Sequence, residues 1–354
     1  MLIERVQSFN PGKAPMLLDL SLWYAWHSKQ DSLPSQWSGL DQLQIAKRLG
    51  APGWQQIKPW SASYTGVTVE TQVADGEKTV RYVVGEGTLS TTWTRGPDGD
   101  WWQMDHLIST PADFKTALAL ADALTYKVDA GKHDPSAQAS SSILAIELPR
   151  RPLSALLHDF LGWGEGLLML RDYEAEVEAL LELLDEKLQG LVEDLCKLPG
   201  ATMISPDNLD GQYISPDLFE QYLAHSYRKT RKLLKQAGKE LVVHVGGPMR
   251  HIVSLLEEAG VDVIEGVSGP PQSDLPLDQA RQLAGPQLTL WGGIPQDWLL
   301  EATAIEAFEH GVERVLETVL RDGNAILGVA DRVPVAAEMD RLQRLQTMIE
   351  NFTG

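Results

Sequence analysis

One cysteine in 354 residues leaves little scope for thiol chemistry. With Cys196 alone, no disulfide can form within the chain and no cysteine-rich zinc site can be assembled from it. Its setting, LVEDLCKLPG, is the end of an amphipathic helical pattern and reads as a structural thiol rather than a nucleophile. Basic residues are scarce as well: 30 Lys and Arg stand against 49 Asp and Glu, for a net charge of −19. Such a chain repels phosphate backbones and anionic head groups, so neither nucleic acid nor a membrane is an expected partner. No apolar run approaches the roughly 18 residues of a membrane span, and the start, MLIERVQSFNPGK, lacks the basic-then-apolar build of a signal peptide. A soluble, cytoplasmic protein is expected.

What is present is ordinary globular composition, with 43% apolar and 22% charged residues, enough for a large core. From about residue 140 short β-branched runs alternate with long helical patterns. The strand readings are SSILAIELP, ATMISPDNL, ELVVHVGG, VDVIEGVS, LTLWGGI and NAILGVA. Helical patterns follow them, several ending in Gly238, Gly260, Gly285 or Gly323, and Gly162, Gly164 and Gly166 break the long helical region after Pro152. Strand–helix alternation of this kind means parallel strands with crossover helices. With APMLLDLSL near the start as a further strand, the count approaches the eight that close a barrel. Residues 64–105 break the rhythm: YTGVTVETQV and KTVRYVVGEGTLSTTWTR alternate apolar and polar residues around ADGE, a hairpin signal. They read as an antiparallel insertion covering one end of a single domain that spans 1–354. The one low-complexity tract is the SAQASSS loop before Ile143.

In a parallel barrel, function sits at the carboxyl ends of the strands. Asp19, Glu147, Asp207, Asp210, His244, Glu265 and Asp331 all fall at or just after such ends. Each has a structural alternative. A histidine at a strand end can be a satisfied core residue, Asp207 and Asp210 in SPDNLDGQYISPD can be turn or capping residues, and Asp331 beside Arg332 can be an ion pair. Glu265, inside VIEGV, must face a cavity, a cation or a donor, because a lone buried carboxylate is costly. The group Trp23, Tyr24, Trp26 and His27 reads either as a substrate wall or as a packing cluster. On this reading His244, Glu265, Asp207 and Asp210 are the catalytic candidates. Asp19, Trp23, Tyr24, His27, Glu147, Asp331 and Arg332 are the candidates for substrate contact.

The order and spacing of HVGG, LLEEAGVDVIE, LTLWGGIPQDWLL and GNAILGVADRVP, with RRPLSALLHDFLGWGEGLLML and MISPDNLDGQYISPDLFEQY before them, resemble the uroporphyrinogen decarboxylase superfamily from about residue 140 to the end. The resemblance implies an α/β fold, a (β/α)8 TIM barrel, here with an inserted antiparallel β-hairpin region near the amino terminus. It also implies either of two activities, porphyrinogen decarboxylation or cobalamin-dependent methyl transfer. The decarboxylases carry an arginine-rich amino-terminal motif for the carboxylates of a tetrapyrrole. The corresponding stretch here, LLDLSLWYAWHSKQDSLP, has no arginine.

The methyltransferase branch is the better match, and it implies a substrate-specific methyltransferase moving a methyl group from a small methylated, for instance methoxylated, compound to a corrinoid protein. The corrinoid would be supplied by that partner. Several members of this branch hold zinc through His-x-Cys and a later Cys. Here His244 stands at the His position, Gly246 replaces the Cys, and GVADRVP has no thiol. A zinc site of harder ligands, His244 with Glu265, and a metal-free pocket with His244 as general acid both stay open. The alternatives are a metal-free decarboxylase or lyase on a carboxylated substrate, using Asp207 or Asp210 with Arg332 as anion clamp, and a non-catalytic ligand-binding barrel.

Overall fold

Short runs rich in Val, Ile, Leu and Ala suit strands covered on both faces, and seven of them pair side by side in a parallel sheet. In a computed structural model describing residues 1–96, 99, 101–132 and 142–352, these strands are Gly53–Ile57, Ser142–Glu147, Thr202–Leu209, Glu240–Val245, Val263–Val267, Thr289–Ile294 and Ala325–Val329. They lie in that order across the sheet. Residues 136–141 of the SAQASSS loop lie outside the described residues.

The sheet curls. Between its two edges runs the segment around Leu17, where Met16 bridges Leu327 on one edge strand and Leu18 bridges Gly53 on the other, both in parallel sense. Leu17 N–H donates to Leu327 O at 2.9 Å, and Leu327 N–H donates to Pro15 O at 2.8 Å. The strand expected over 14–22 is therefore confined to these isolated bridges. It cannot extend further because the chain turns at Leu20 into a helix, Ser21–Lys29. The continuous sheet has seven strands rather than eight.

Side chains alternate along a strand, so one face of a curled sheet points inward and the other outward. The inward set forms its own apolar cluster: Leu17, Trp54, Ala145, Ile204, Val242, Val263, Trp291 and Ile326. The first helix, Leu2–Phe9, adds Leu2, Ile3 and Val6 to that cluster. It sits at the start of the strands, where Leu2 N–H donates to Glu240 Oε2 at 2.7 Å and Arg5 pairs with Glu240 at 2.5 Å. Burying each of these helix side chains contributes about 1.5–3 kcal/mol. The interior is thereby plugged at its amino-terminal end and left open to polar groups at the other. The outward face packs against the helices, with Leu241, Val243, Ile264, Leu290 and Leu327 in the larger core.

The insertion is antiparallel, as expected. Val67–Ala74, Glu77–Val84, Gly87–Arg95 and Trp101–Asp105 form a meander. Its first turn is at Asp75 and Gly76, both with positive φ, as a two-residue hairpin needs. A two-stranded ribbon, Trp60–Tyr64 with Leu124–Val128, ties it to the parallel sheet and carries the excursion beyond residue 105. Gly162, at φ 76°, makes the expected helical break before the helix Trp163–Asp172, whereas Gly164 and Gly166 lie inside that helix. Gly285, by contrast, is not a left-handed helix end. The helix Leu277–Leu283 stops at an extended Ala284 instead. No helix among the described residues is long and apolar enough to cross a membrane.

Candidate active site

Two residues beyond five members of the inward apolar layer, the same alternation sets polar side chains, while Pro206, Gly293 and Gly328 follow Ile204, Trp291 and Ile326. Beyond Leu17 stands Asp19, beyond Trp54 Gln56, beyond Ala145 Glu147, beyond Val242 His244, and beyond Val263 Glu265. The apolar layer forms the floor of a mouth, and these groups form its first polar tier.

The strand register makes His244 and Glu265 direct neighbours across adjacent parallel strands. His244 Nδ1 lies 2.5 Å from Glu265 Oε2, with the side chains 15% and 7% exposed. The other carboxylate oxygen, Oε1, accepts the N–H of Asp331 at 3.1 Å. Asp331 can aim that N–H inward because its backbone is left-handed, at φ 66°. Burial works to lower the His244 pKa, but the Glu265 charge and hydrogen bond, with Asp331 nearby, outweigh it and raise the value to about 9. Burial also pushes Glu265 up, and the adjacent His244 draws it back. Both shifts favour a proton held within the pair.

Asp19 belongs to the same tier. Burial raises its pKa, with the Ser21 bonds and the Arg332 guanidinium opposing. Its Oδ1 accepts Ser21 N–H at 2.8 Å, and Oδ2 accepts Gln56 Nε2 at 3.5 Å. Glu147 is likewise raised by burial and held back by Lys58, Arg150 and Arg332. Arg332, half-exposed and 3.5 Å from Asp331 Oδ1, is thus within electrostatic reach of Asp19, Glu147 and His244.

A cavity of about 40 Å³ opens beside His244, lined also by Gly246, Gly247, Gly266, Ser268 and Asp331. It has room for a group the size of a water. The Ser268 hydroxyl, buried there, has no partner among the described residues. Both walls depend on irregular strands: the register shifts between Val243 and Val245, and again between Glu265 and Val267. Bulges of this kind re-aim side chains beside active sites. Gly266 makes the second one, at φ 102°, where a Cβ would stand 2.2 Å from Val245 O.

Other expected site residues lie elsewhere. Asp207 falls in the bulged part of its strand and points to the helix layer, fully buried. Its oxygens accept Arg151 N–H at 2.6 Å and the Tyr227 hydroxyl at 2.5 Å, so it shares no contact with His244 or Glu265. Asp210 turns the chain, accepting Gln212 N–H at 2.7 Å. Trp23 is buried in the core against Trp37 and His27, with Tyr24 packed alongside. His27 is engaged through both nitrogens, Nδ1 with Ser32 Oγ at 2.8 Å and Nε2 with Val335 O at 2.9 Å. Sequence reasoning did not single out Gln56, Ser268, Asn208 or Gly266. Only Gly266, beside a buried acid in VIEGV, carried a signal.

The zinc reading can be tested on the donors. A side chain at position 246 would collide with the Asn208 carboxamide, whose Oδ1 lies 1.6 Å from where a Cβ would be. The space of the missing cysteine is therefore filled. His244 Nδ1 and one Glu265 oxygen bind each other, and no three His, Cys, Asp or Glu side chains converge as a metal site among the described residues. The residues present do not fit a zinc site.

Residues 164–352 match the uroporphyrinogen decarboxylase (URO-D) family, just over half of the chain, and the chain belongs to that family. Among solved structures, a methyltransferase from Methanosarcina mazei superposes with a TM-score of 0.59 at 11% identity, over 99% of this chain and 97% of its own. That likeness is one of fold. A D-psicose 3-epimerase in the presence of D-fructose gives 0.38 at 11% identity, over 67% and 82% of the two chains. Another from Clostridium cellulolyticum H10, with D-tagatose, gives 0.35 at 10%, over 60% and 78%. Neither score carries an argument. No curated protein sequence matches the chain.

Proposed function

We propose that this chain is the substrate-specific methyltransferase of a corrinoid-dependent system, taking a methyl group from a small methylated compound. On this reading the segment around Leu17 acts as the eighth strand of a (β/α)8 barrel, and its mouth is the reaction site. The single observation that supports the reading best is the His244–Glu265 pair, an imidazole bonded through Nδ1 to a buried carboxylate at a sheltered mouth.

The difficulty of demethylating an ether is its leaving group, because an alkoxide or phenoxide leaves poorly unless its charge is neutralised as the bond breaks. Glu265 fixes Nδ1–H, so His244 presents Nε2–H to the substrate. As the carbon–oxygen bond breaks, its electron pair stays on oxygen, and the Nε2 proton neutralises it. The imidazole left behind regains its proton from solvent. Asp331 N–H holds the carboxylate in place, and the charges of Glu265 and Asp331 favour the imidazolium. A reduced corrinoid on a partner protein would supply the nucleophile that accepts the methyl group. A cytoplasmic setting is part of this proposal.

The lyase alternative relied on Asp207 or Asp210, and both are engaged in structural hydrogen bonds. The methyl-transfer reading is tested by incubating the protein with free cob(I)alamin and a panel of methoxylated and other methylated compounds, followed by the visible spectrum. A responsive donor is expected, with turnover falling about 100-fold or more in His244→Gln and Glu265→Gln. Unchanged turnover in both variants would overturn the assignment.

A further inference from the structure

Beside the mouth, beneath the antiparallel insertion, lies a much larger cavity of about 420 Å³ that the mechanism above does not use. Its walls come from segments distant in sequence. Trp60, Tyr64 and Tyr126 belong to the two-stranded ribbon and Tyr82 and Trp93 to the meander, while Asp159 comes from the helical turn Leu156–Phe160. Trp60 and Tyr126 meet edge to face at 5.3 Å, as do Tyr64 and Tyr82 at 5.4 Å. None of the three phenol hydroxyls has a hydrogen bond within the described residues. Lys58 and Lys78 already lie over the rings of Trp60 and Trp93, at 4.1 and 4.3 Å. The phenol rings, Asp159 Oδ2 and the Glu147 carboxylate are parts of the wall left for a ligand.

Asp159 sets the sign of the charge such a ligand would carry. Its Oδ1 takes one hydrogen bond from Arg150 at 3.1 Å, and Oδ2 takes none. Burial raises the pKa of all three tyrosines, Tyr126 to about 12, and the Asp159 charge adds to the rise in each; burial also raises Asp159 itself, and Arg150 draws it back. Asp159 and Glu147 put two carboxylates on this wall, where Arg150 is bonded to Asp159 and Lys58 is set over Trp60. Negative ring faces around a carboxylate are the chemistry that recognises a weakly hydrated organic cation. An aromatic anion would instead meet Asp159 as a like charge.

We propose that this cavity binds a small organic cation of the quaternary or methylated ammonium class, held by Asp159 and the rings of Tyr64, Tyr82 and Tyr126. The proposal does not rest on methyl transfer: a cation can bind here whether or not the chain moves a methyl group. The test is calorimetric titration of the whole protein with choline, with its uncharged isostere 3,3-dimethylbutan-1-ol, and with benzoate. Choline is expected to bind at least about tenfold more tightly than the isostere, and benzoate more weakly than choline. Asp159→Asn should weaken choline about tenfold and leave the isostere unchanged. Equal binding of choline and the isostere, tightest binding of benzoate, or no saturable choline binding would each overturn it. These three comparisons use the unaltered protein, so they decide even if the variant fails to fold. The cob(I)alamin assay is independent of all of them.

Discussion

His244 and Glu265, 21 residues apart in the chain, are register partners on adjacent parallel strands, with Nδ1 and Oε2 separated by 2.5 Å. Two side chains so placed on one face share a proton without long flexible stems, so the geometry is fixed by backbone pairing. If the imidazolium is the acid, turnover should be level through neutral pH and fall as pH rises through about 9. In Glu265→Gln the fall should move below neutrality, because burial then acts on His244 without the opposing carboxylate. A pH profile of kcat/KM with a responsive donor checks this.

The same pair makes folding stability depend on pH. The folded pKa of His244 is raised above its unfolded value, so its contribution is fully present below about pH 6.5 and lost as pH rises through about 9. The upper bound is about 3 kcal/mol, reduced by the cost of burying Glu265. Urea unfolding at intervals from about pH 6 to pH 10 should show wild type losing more stability than His244→Gln between about pH 6.5 and pH 9, with little further difference above that.

Asp207 makes the opposite prediction. It is buried with Arg151, which donates to Thr230, while the Arg151 main chain and Tyr227 fill the carboxylate. Asp207→Asn leaves a buried guanidinium without its counter-charge, and about 3 kcal/mol of stability should be lost. Tyr227→Phe should cost about 1–3 kcal/mol. Chemical unfolding midpoints should drop in both, while kcat of the folded protein stays within about twofold of wild type.

Gly266→Ala should damage stability and site together. The residue is left-handed, and its added Cβ would meet the Val245 carbonyl between the two key side chains. More than about 2 kcal/mol of stability should go, with turnover falling as His244 and Glu265 are displaced. Gly323→Ala, which meets no atom within 4 Å but is also left-handed, is the control: a smaller stability loss and unchanged turnover.

The polar tier was legible in the sequence because a strand imposes a period of two and glycines mark its end: Asp19, Glu147, His244 and Glu265 could be placed at one rim from the runs before them. Gln56 was not, because GWQQI is only five residues long and two of them are Gln, which looks like a loop. Asp207 was misplaced by a bulge, since extra residues after Ser205 turn the following side chain to the helix layer, and no local composition announces that. Trp23 and His27 sit on a helix rather than a strand end, so Trp23 packs inward as core and His27, half-buried, is engaged by Ser32 and Val335. The aromatic cavity was invisible for a simpler reason: its walls meet only once the ribbon, the meander and the turn at Asp159 are folded together.

The central claim is that Glu265 keeps His244 protonated at the mouth, and a site-resolved NMR titration of the His244 ring, in wild type and in Glu265→Gln, tests it most directly. The account predicts a transition near pH 9 in wild type, displaced to below about pH 6.5 in the variant. A wild-type ring that titrates at or below about 6.5, or one whose transition does not move on loss of the carboxylate, would contradict it.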